Sequence, residues 1–205
     1  MPTYPLSFPS VGVQNSYFRL VRIVKKNMSP FTGEEQIFRH QGEWWEGEVT
    51  LIPMRRQDAA TVQAFLAELR GQSGTFLYGD PDALALGTMG AGGTITVNGA
   101  NQTGNSLSVD GMTTSTSNIL KPGDYFQLGT GTSARLYMVT QPLNSNGSGQ
   151  GTLTFEPALR SSPADNQAVI ITSPMGLFRL SDNVSEWNAD RSNIYNITIP
   201  FREAL

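Results

Sequence analysis

Fourteen of the chain's 21 glycines fall between residues 83 and 176, yet that window holds only three of its 14 Lys and Arg: Lys121, Arg135 and Arg160. Most of the charge, all three tryptophans and the one helical pattern lie outside it. Such an alternation of composition, changing near Pro81 and changing back near Pro174, is what a host domain interrupted by an insertion produces. The reading is a discontinuous host of residues 1–82 and 175–205 and an inserted domain over 83–174. At 205 residues the chain has room for one full domain and a second small one.

The host part alternates as strands do. In "EWWEGEVTLI" one face carries Trp45, Val49 and Leu51, and the other carries Trp44, Glu46, Glu48 and Thr50. "YFRLVRIV" (Tyr17–Val24) is a β-rich run, and "IYNITIPF" lines up Tyr195, Ile197, Ile199 and Phe201. Pro200 confines that last strand to a sheet edge or to its own end, because proline lacks the ladder donor. Between Val24 and Ile37, the polar "KKNMSPFTGEEQ" reads as a long hairpin arm.

One helix is expected, about 57–70, where Val62, Phe65, Leu66 and Leu69 recur on a single stripe. Asp58 suits its N-terminus, and Gly71 supplies a left-handed C-cap. The chain then turns straight back into a strand over Thr75–Tyr78, closed by Gly79-Asp80-Pro81.

The window between is all-β in pattern. "GGTITVNGA", "RLYMVT", "GTLTFEP" and "AVIIT" are strands, separated by turn signals such as Asn98-Gly99, Asp110-Gly111, Pro122-Gly123 and Asn146-Gly147. Four to six short strands in this space suit a small, OB-like barrel or sandwich. The expected fold is mainly β: a β-sandwich host with one flanking helix, interrupted by that domain. "GAGGT" (Gly90–Thr94) reads as a hinge between the two.

Chemistry is scarce. There is no cysteine, so disulfides, thiolate catalysis and Cys-based metal sites are excluded, while compartment is left open. His40 is the only histidine, so it is the one candidate base for a serine nucleophile and has no second His or Cys to build a transition-metal site with. Gly71-x-Ser73-Gly74 lies between helix and strand, the reverse of a nucleophile elbow, so its glycines are backbone punctuation. Asp110, Asp124, Glu156 and Asp165 are candidates for a glycosidase pair, but their spacing does not join any two. No cofactor, no metal and no enzymatic activity are expected. A net charge of -3 argues against a dedicated binder of nucleic acid or anionic membrane. No signal peptide is visible, and no apolar run reaches the ~20 residues of a membrane helix. The Asn-x-Ser/Thr triplets at Asn101, Asn183 and Asn196 read as chance.

Glu43, Glu46 and Glu48 have two readings: a solvated sheet face, or a wall of like charges lining a passage for a polyanion. Trp44 is expected at a subunit interface. Tyr125 and Tyr137 are candidate platforms for stacking on sugars.

The stretch "LIPMRRQDAATVQAFLAELRGQSGTFLYGDP" (Leu51–Pro81) resembles the distal tail proteins and related minor tail proteins of long-tailed bacteriophages. "LKPGDYFQLGTGTSARLYMVT" and "GTLTFEPALRSSPADNQAVIITSPMGLFRL" are similar to a module of prophage minor tail proteins. Together these segments cover roughly half of the chain. The resemblance implies a virion protein of the tail tip, assembled in the host cytoplasm. It also implies a ring, usually a hexamer, that joins the tail tube protein to the hub and to receptor-binding or side-fibre proteins while DNA passes through. Neither sequence-specific nucleic-acid binding nor membrane insertion is expected. In such a ring the arm would meet a neighbour, which makes Lys25, Lys26, Phe31, Glu34 and Glu35 candidate interface residues with Trp44. The alternative is a carbohydrate-binding module that contacts the cell envelope through the inserted domain.

Overall fold

The computed structural model describes residues 2–81, 83, 87, 94–189 and 193–205. The fold is mainly β with one helix. Its strands are β1 (Leu6–Ser7), β2 (Val13–Met28), β3 (Glu35–Leu51), β4 (Met54–Arg55) and β5 (Phe76–Tyr78), with α1 (Arg56–Leu69) between the last two. Six more follow: β6 (Thr96–Val97), β7 (Ser106–Asp110), β8 (Tyr125–Leu128), β9 (Arg135–Val139), β10 (Gly151–Glu156) and β11 (Val169–Ile170). The chain ends with β12 (Gly176–Leu180), β13 (Asn188–Ala189), β14 (Ile194–Asn196) and β15 (Thr198–Glu203).

Strands β1, β5, β12, β15, β3 and β2 form one large sheet in that order. Its inner face is covered by α1, whose buried stripe is Ala59, Val62, Phe65, Leu66 and Leu69. The helix starts with Asp58 in its first turn, and Arg70 rather than Gly71 takes the left-handed cap at φ 53°. Gly71 is also at positive φ and opens a short 3-10 turn. A side chain at Gly71 would run into Asn183, whose Oδ1 accepts the Gln72 N–H at 3.0 Å. The helix–turn–strand unit is thereby clasped to the chain after β12.

The alternation in β3 holds, with Trp45, Val49 and Leu51 all buried. "IYNITIPF" does present Tyr195, Ile197, Ile199 and Phe201 to the core, but it divides between sheets at Ile197. β14 pairs with β13 and β4 in a small three-stranded sheet, whereas β15 joins the large one. The edge assignment for β15 is corrected: it lies between β12 and β3. Pro200 is tolerated because its carbonyl accepts the Ser181 N–H at 3.1 Å, just beyond the last residue of β12. Its ring nitrogen points to that same side, where there is no further strand to pair with.

The second sheet runs β11, β8, β9, β10, β7, β6 and draws only on residues 96–170. It curls until β6 meets β11, with a Thr96↔Ala168 bridge and the Val169 N–H donating to Ile95 at 2.9 Å. This nearly closed barrel has its own core, built on Phe126, Tyr137 and Phe155. The stretch read as a hinge, Gly90–Thr94, lies outside the described residues except for Thr94.

Strands β8 and β9 are buried on both faces. Tyr137 and Val139 point into the barrel, while Leu136 and Met138 pack against the core of the large sheet. Phe126 and Leu128 face the barrel, and Tyr125 faces Trp45 with ring centres 6.1 Å apart.

Candidate interaction surfaces

The longest hairpin in the chain, β2–β3, outruns its sheet. β15 pairs with β3 only as far as Glu46, so beyond Arg22↔Glu43 the two strands continue alone. All residues from 22 to 41 except Ser29 are exposed. The register breaks between Arg22 and Val24, with Ile23 lying over Gly42. The tip is ordered locally: Ser29 Oγ accepts the Phe31 and Thr32 N–H groups, and Gly33 turns at φ 72°.

After the bulge, facing pairs Val24↔Arg39, Lys26↔Ile37 and Met28↔Glu35 share one face of this ribbon. Lys25↔Phe38 and Asn27↔Gln36 occupy the other. The ribbon extends beyond the polar stretch between Val24 and Ile37 and takes in apolar residues on either side of it. Ile23, Val24, Met28, Phe31, Ile37 and Phe38 are all exposed on it, Phe31 at 95%. Lys25, Lys26, Phe31, Glu34 and Glu35 gather on this arm, where Lys26 and Glu35 form an ion pair of 2.5 Å. Trp44 is separate, on the outer face of the large sheet.

The three expected wall carboxylates are not on one face. Glu43 shares the parity of Trp45 and is buried. It accepts the Ala158 N–H at 2.5 Å and pairs with Arg22 at 3.4 Å. A wall of like charge including Glu43 is thus corrected. On the outer face, register aligns Arg19, Glu46, Arg202 and Arg179 across four strands. Glu46 pairs with Arg19 and accepts the Trp44 Nε1–H at 3.2 Å, while Arg202 lies 4.3 Å over the Trp44 ring. That row carries three guanidiniums and one carboxylate, so Glu46 sits among cations. Glu48 is exposed and has no ion pair among the described residues.

The proposed sugar platforms are corrected too. Tyr137 is only 1% exposed, stacks on Phe126 at 5.2 Å, and its hydroxyl accepts the Arg160 N–H at 3.3 Å. Burial, ahead of nearby charges, raises its phenol above the ordinary value. Tyr125 is half-buried against Trp45, and burial followed by Asp80 raises its phenol in the same way. The Tyr137 ring offers no open face, and the Tyr125 ring is partly covered by the core of the large sheet.

Sequence reasoning missed the polar junction between large sheet and barrel. Glu203, the last inward position of β15, accepts the Trp45 N–H at 3.0 Å and a forked pair from Arg160. Beside it, Arg22 reaches Glu156 at 3.2 Å and Trp45 Nε1–H donates to the Leu136 carbonyl at 2.9 Å. Parity was the available signal: Ile199, Phe201 and Glu203 alternate inward, and a buried carboxylate needs a partner.

The scattered carboxylates serve the backbone and its turns. Asp124 accepts the Lys121 N–H at 2.6 Å, Asp110 the Thr96 hydroxyl at 2.6 Å, and Asp165 the Gly99 N–H at 2.8 Å. Glu156 is held by Arg22 and Asn105. Ser73 is exposed in the turn after α1, and His40 is exposed on the arm. No His/Asp/Glu group among the described residues is arranged to hold a metal, and no described helix is long and apolar enough to cross a membrane. No family model matches the chain, and a search of curated proteins finds no match.

Proposed function

We propose that this chain is a structural subunit that assembles with copies of itself through its projecting arm. The arm carries the reading. A two-stranded ribbon alone is marginally stable in water, and this one exposes apolar side chains on both faces. A neighbouring subunit that covers it removes both costs. Combined with the tail-tip resemblance of Leu51–Pro81, the specific proposal is a ring, six-membered in that family, joining tail tube to hub in a long-tailed phage. The role is mechanical and non-catalytic. The carbohydrate-binding alternative gains no support from Tyr125 and Tyr137, which are packed against the two cores.

Light scattering on the purified protein, followed by negative-stain imaging, tests this. A closed ring with a central hole is the expected result. Replacing residues 25–38 by a tight Asn-Gly turn that closes on the facing pair Val24↔Arg39 should reduce it to single chains that remain folded. A wild type that stays single-chain at high concentration counts against self-assembly, and an unaltered ring without the arm removes the arm from it.

A further inference from the structure

The large sheet carries a cleft that matches one face of the arm. Where β12 ends, the chain leaves the sheet and folds back over β15, leaving a cleft of about 370 Å³. It is lined by the exposed Thr198 and Pro200 of β15 over the buried Leu180 and Ile199, with the carboxylates Glu48, Asp182 and Glu186 around it. Val184 on this rim and Trp187 just beyond it are exposed at 65% and 47%. Asp182 accepts the Asn183 N–H, whereas Glu48 and Glu186 have no ion pair among the described residues.

One face of the arm has the complementary make-up. Val24, Ile37 and Met28 form an apolar stripe flanked by the cation Arg39 and by Lys26, which pairs with Glu35 on the same face. Arg39 has no ion pair among the described residues. The arm cannot fill the cleft of its own chain. Ile37 and Glu48 lie on the same strand eleven residues apart, roughly 35 Å along an extended backbone. Donor and acceptor patches that differ, on one chain and out of mutual reach, define a head-to-tail contact, the kind that closes into rings.

We propose that the Val24–Met28–Ile37 face of the arm lies across the cleft of a second copy, Arg39 meeting Glu48 and Glu186, and Val184 and Trp187 covering the apolar stripe. The assignment rests on the self-assembly reading and names the surface that receives the arm.

The absence of cysteine makes the contact directly testable, because any disulfide formed is one that was introduced. Ile37→Cys and Val184→Cys, both at exposed positions, are combined in one chain and mildly oxidised. Disulfide formation needs Cα atoms within about 7 Å, which the two positions of a single chain cannot meet. The expected result is a covalent ladder of multimers. Ile37→Cys paired instead with Ala60→Cys, on the outer face of α1, should stay unlinked. Arg39→Glu should weaken assembly measured by light scattering, and adding Glu186→Arg to the same chain should restore it. A wild type that assembles while the Ile37/Val184 variant gives no ladder, or cross-links through Ala60→Cys, overturns the cleft assignment and leaves self-assembly intact. A wild type that remains single-chain, with no ladder, overturns both.

Discussion

Arg160 and Glu203 form a fork-on-carboxylate pair, Nε at 3.1 Å and Nη2 at 2.7 Å, from the segment after β10 to the end of β15. The Glu203 side chain is 2% exposed and that of Arg160 14%, so the pair ties barrel to large sheet away from water. Glu203→Ala leaves a buried guanidinium and the Trp45 N–H without their acceptor. Loss of about 3–5 kcal/mol is expected in urea unfolding. Replacing both residues by Met and Leu should cost less than the sum of the two single changes.

Gly47 is fixed by space. A Cβ there would lie 1.9 Å from the Tyr17 carbonyl oxygen and 2.8 Å from Phe201 Cζ. Gly47→Ala should therefore destabilise by about 3 kcal/mol, the upper end for overpacking, or prevent folding. Gly33→Ala is the contrast. Its site is open but its φ is +72°, so about 1 kcal/mol of left-handed strain is expected, confined to the arm tip. Urea titrations of the two variants separate these outcomes.

Glu46 stands directly between Arg19 and Arg202 on adjacent strands. Glu46→Lys would make the row four cations side by side, costing about 1 kcal/mol at low salt and less at high salt. Glu48→Lys, with no ion pair inside its own chain to lose, should change the stability of the single chain by no more than about 0.5 kcal/mol. Thermal unfolding at two ionic strengths distinguishes them.

The phenol of Tyr137 is raised by burial, so the folded protein favours its neutral form more than the unfolded chain does. That contribution is complete below about pH 10, the ordinary tyrosine value, and is lost as pH rises through the folded value. Tyr137→Phe should flatten the alkaline decline of stability. A decline as steep as wild type's would assign it to other groups, Tyr125 first among them.

The parts of the fold that were legible are those where one physical rule acts alone. The apolar stripe from Val62 to Leu69 gave α1 almost to the residue, and period-two alternation gave the inner face of β3. The same parity also places Glu43 with Trp45, which rules out grouping it with Glu46 and Glu48. Two features escaped because they depend on partners distant in sequence. Pro200 sits inside a sheet because β12 happens to end beside it. Tyr125 and Tyr137 look like exposed aromatics because "YFQL" and "RLYMV" lack clean alternation, and that lack reflects two buried faces. The arm was legible as an extension, but its apolar face was not, since residues before and after the turn must be brought into register to reveal it.

The wall formed by β8 and β9 belongs to both cores, and it decides how the molecule transmits force. A pull applied to the barrel's loops passes into the large sheet through Leu136, Tyr125 and Met138, and through the Arg160–Glu203 fork, over a broad front. The two halves thus behave mechanically as a single block rather than as a pendant on a tether. Excising the barrel would strip a shared wall and leave each remnant with an open greasy flank.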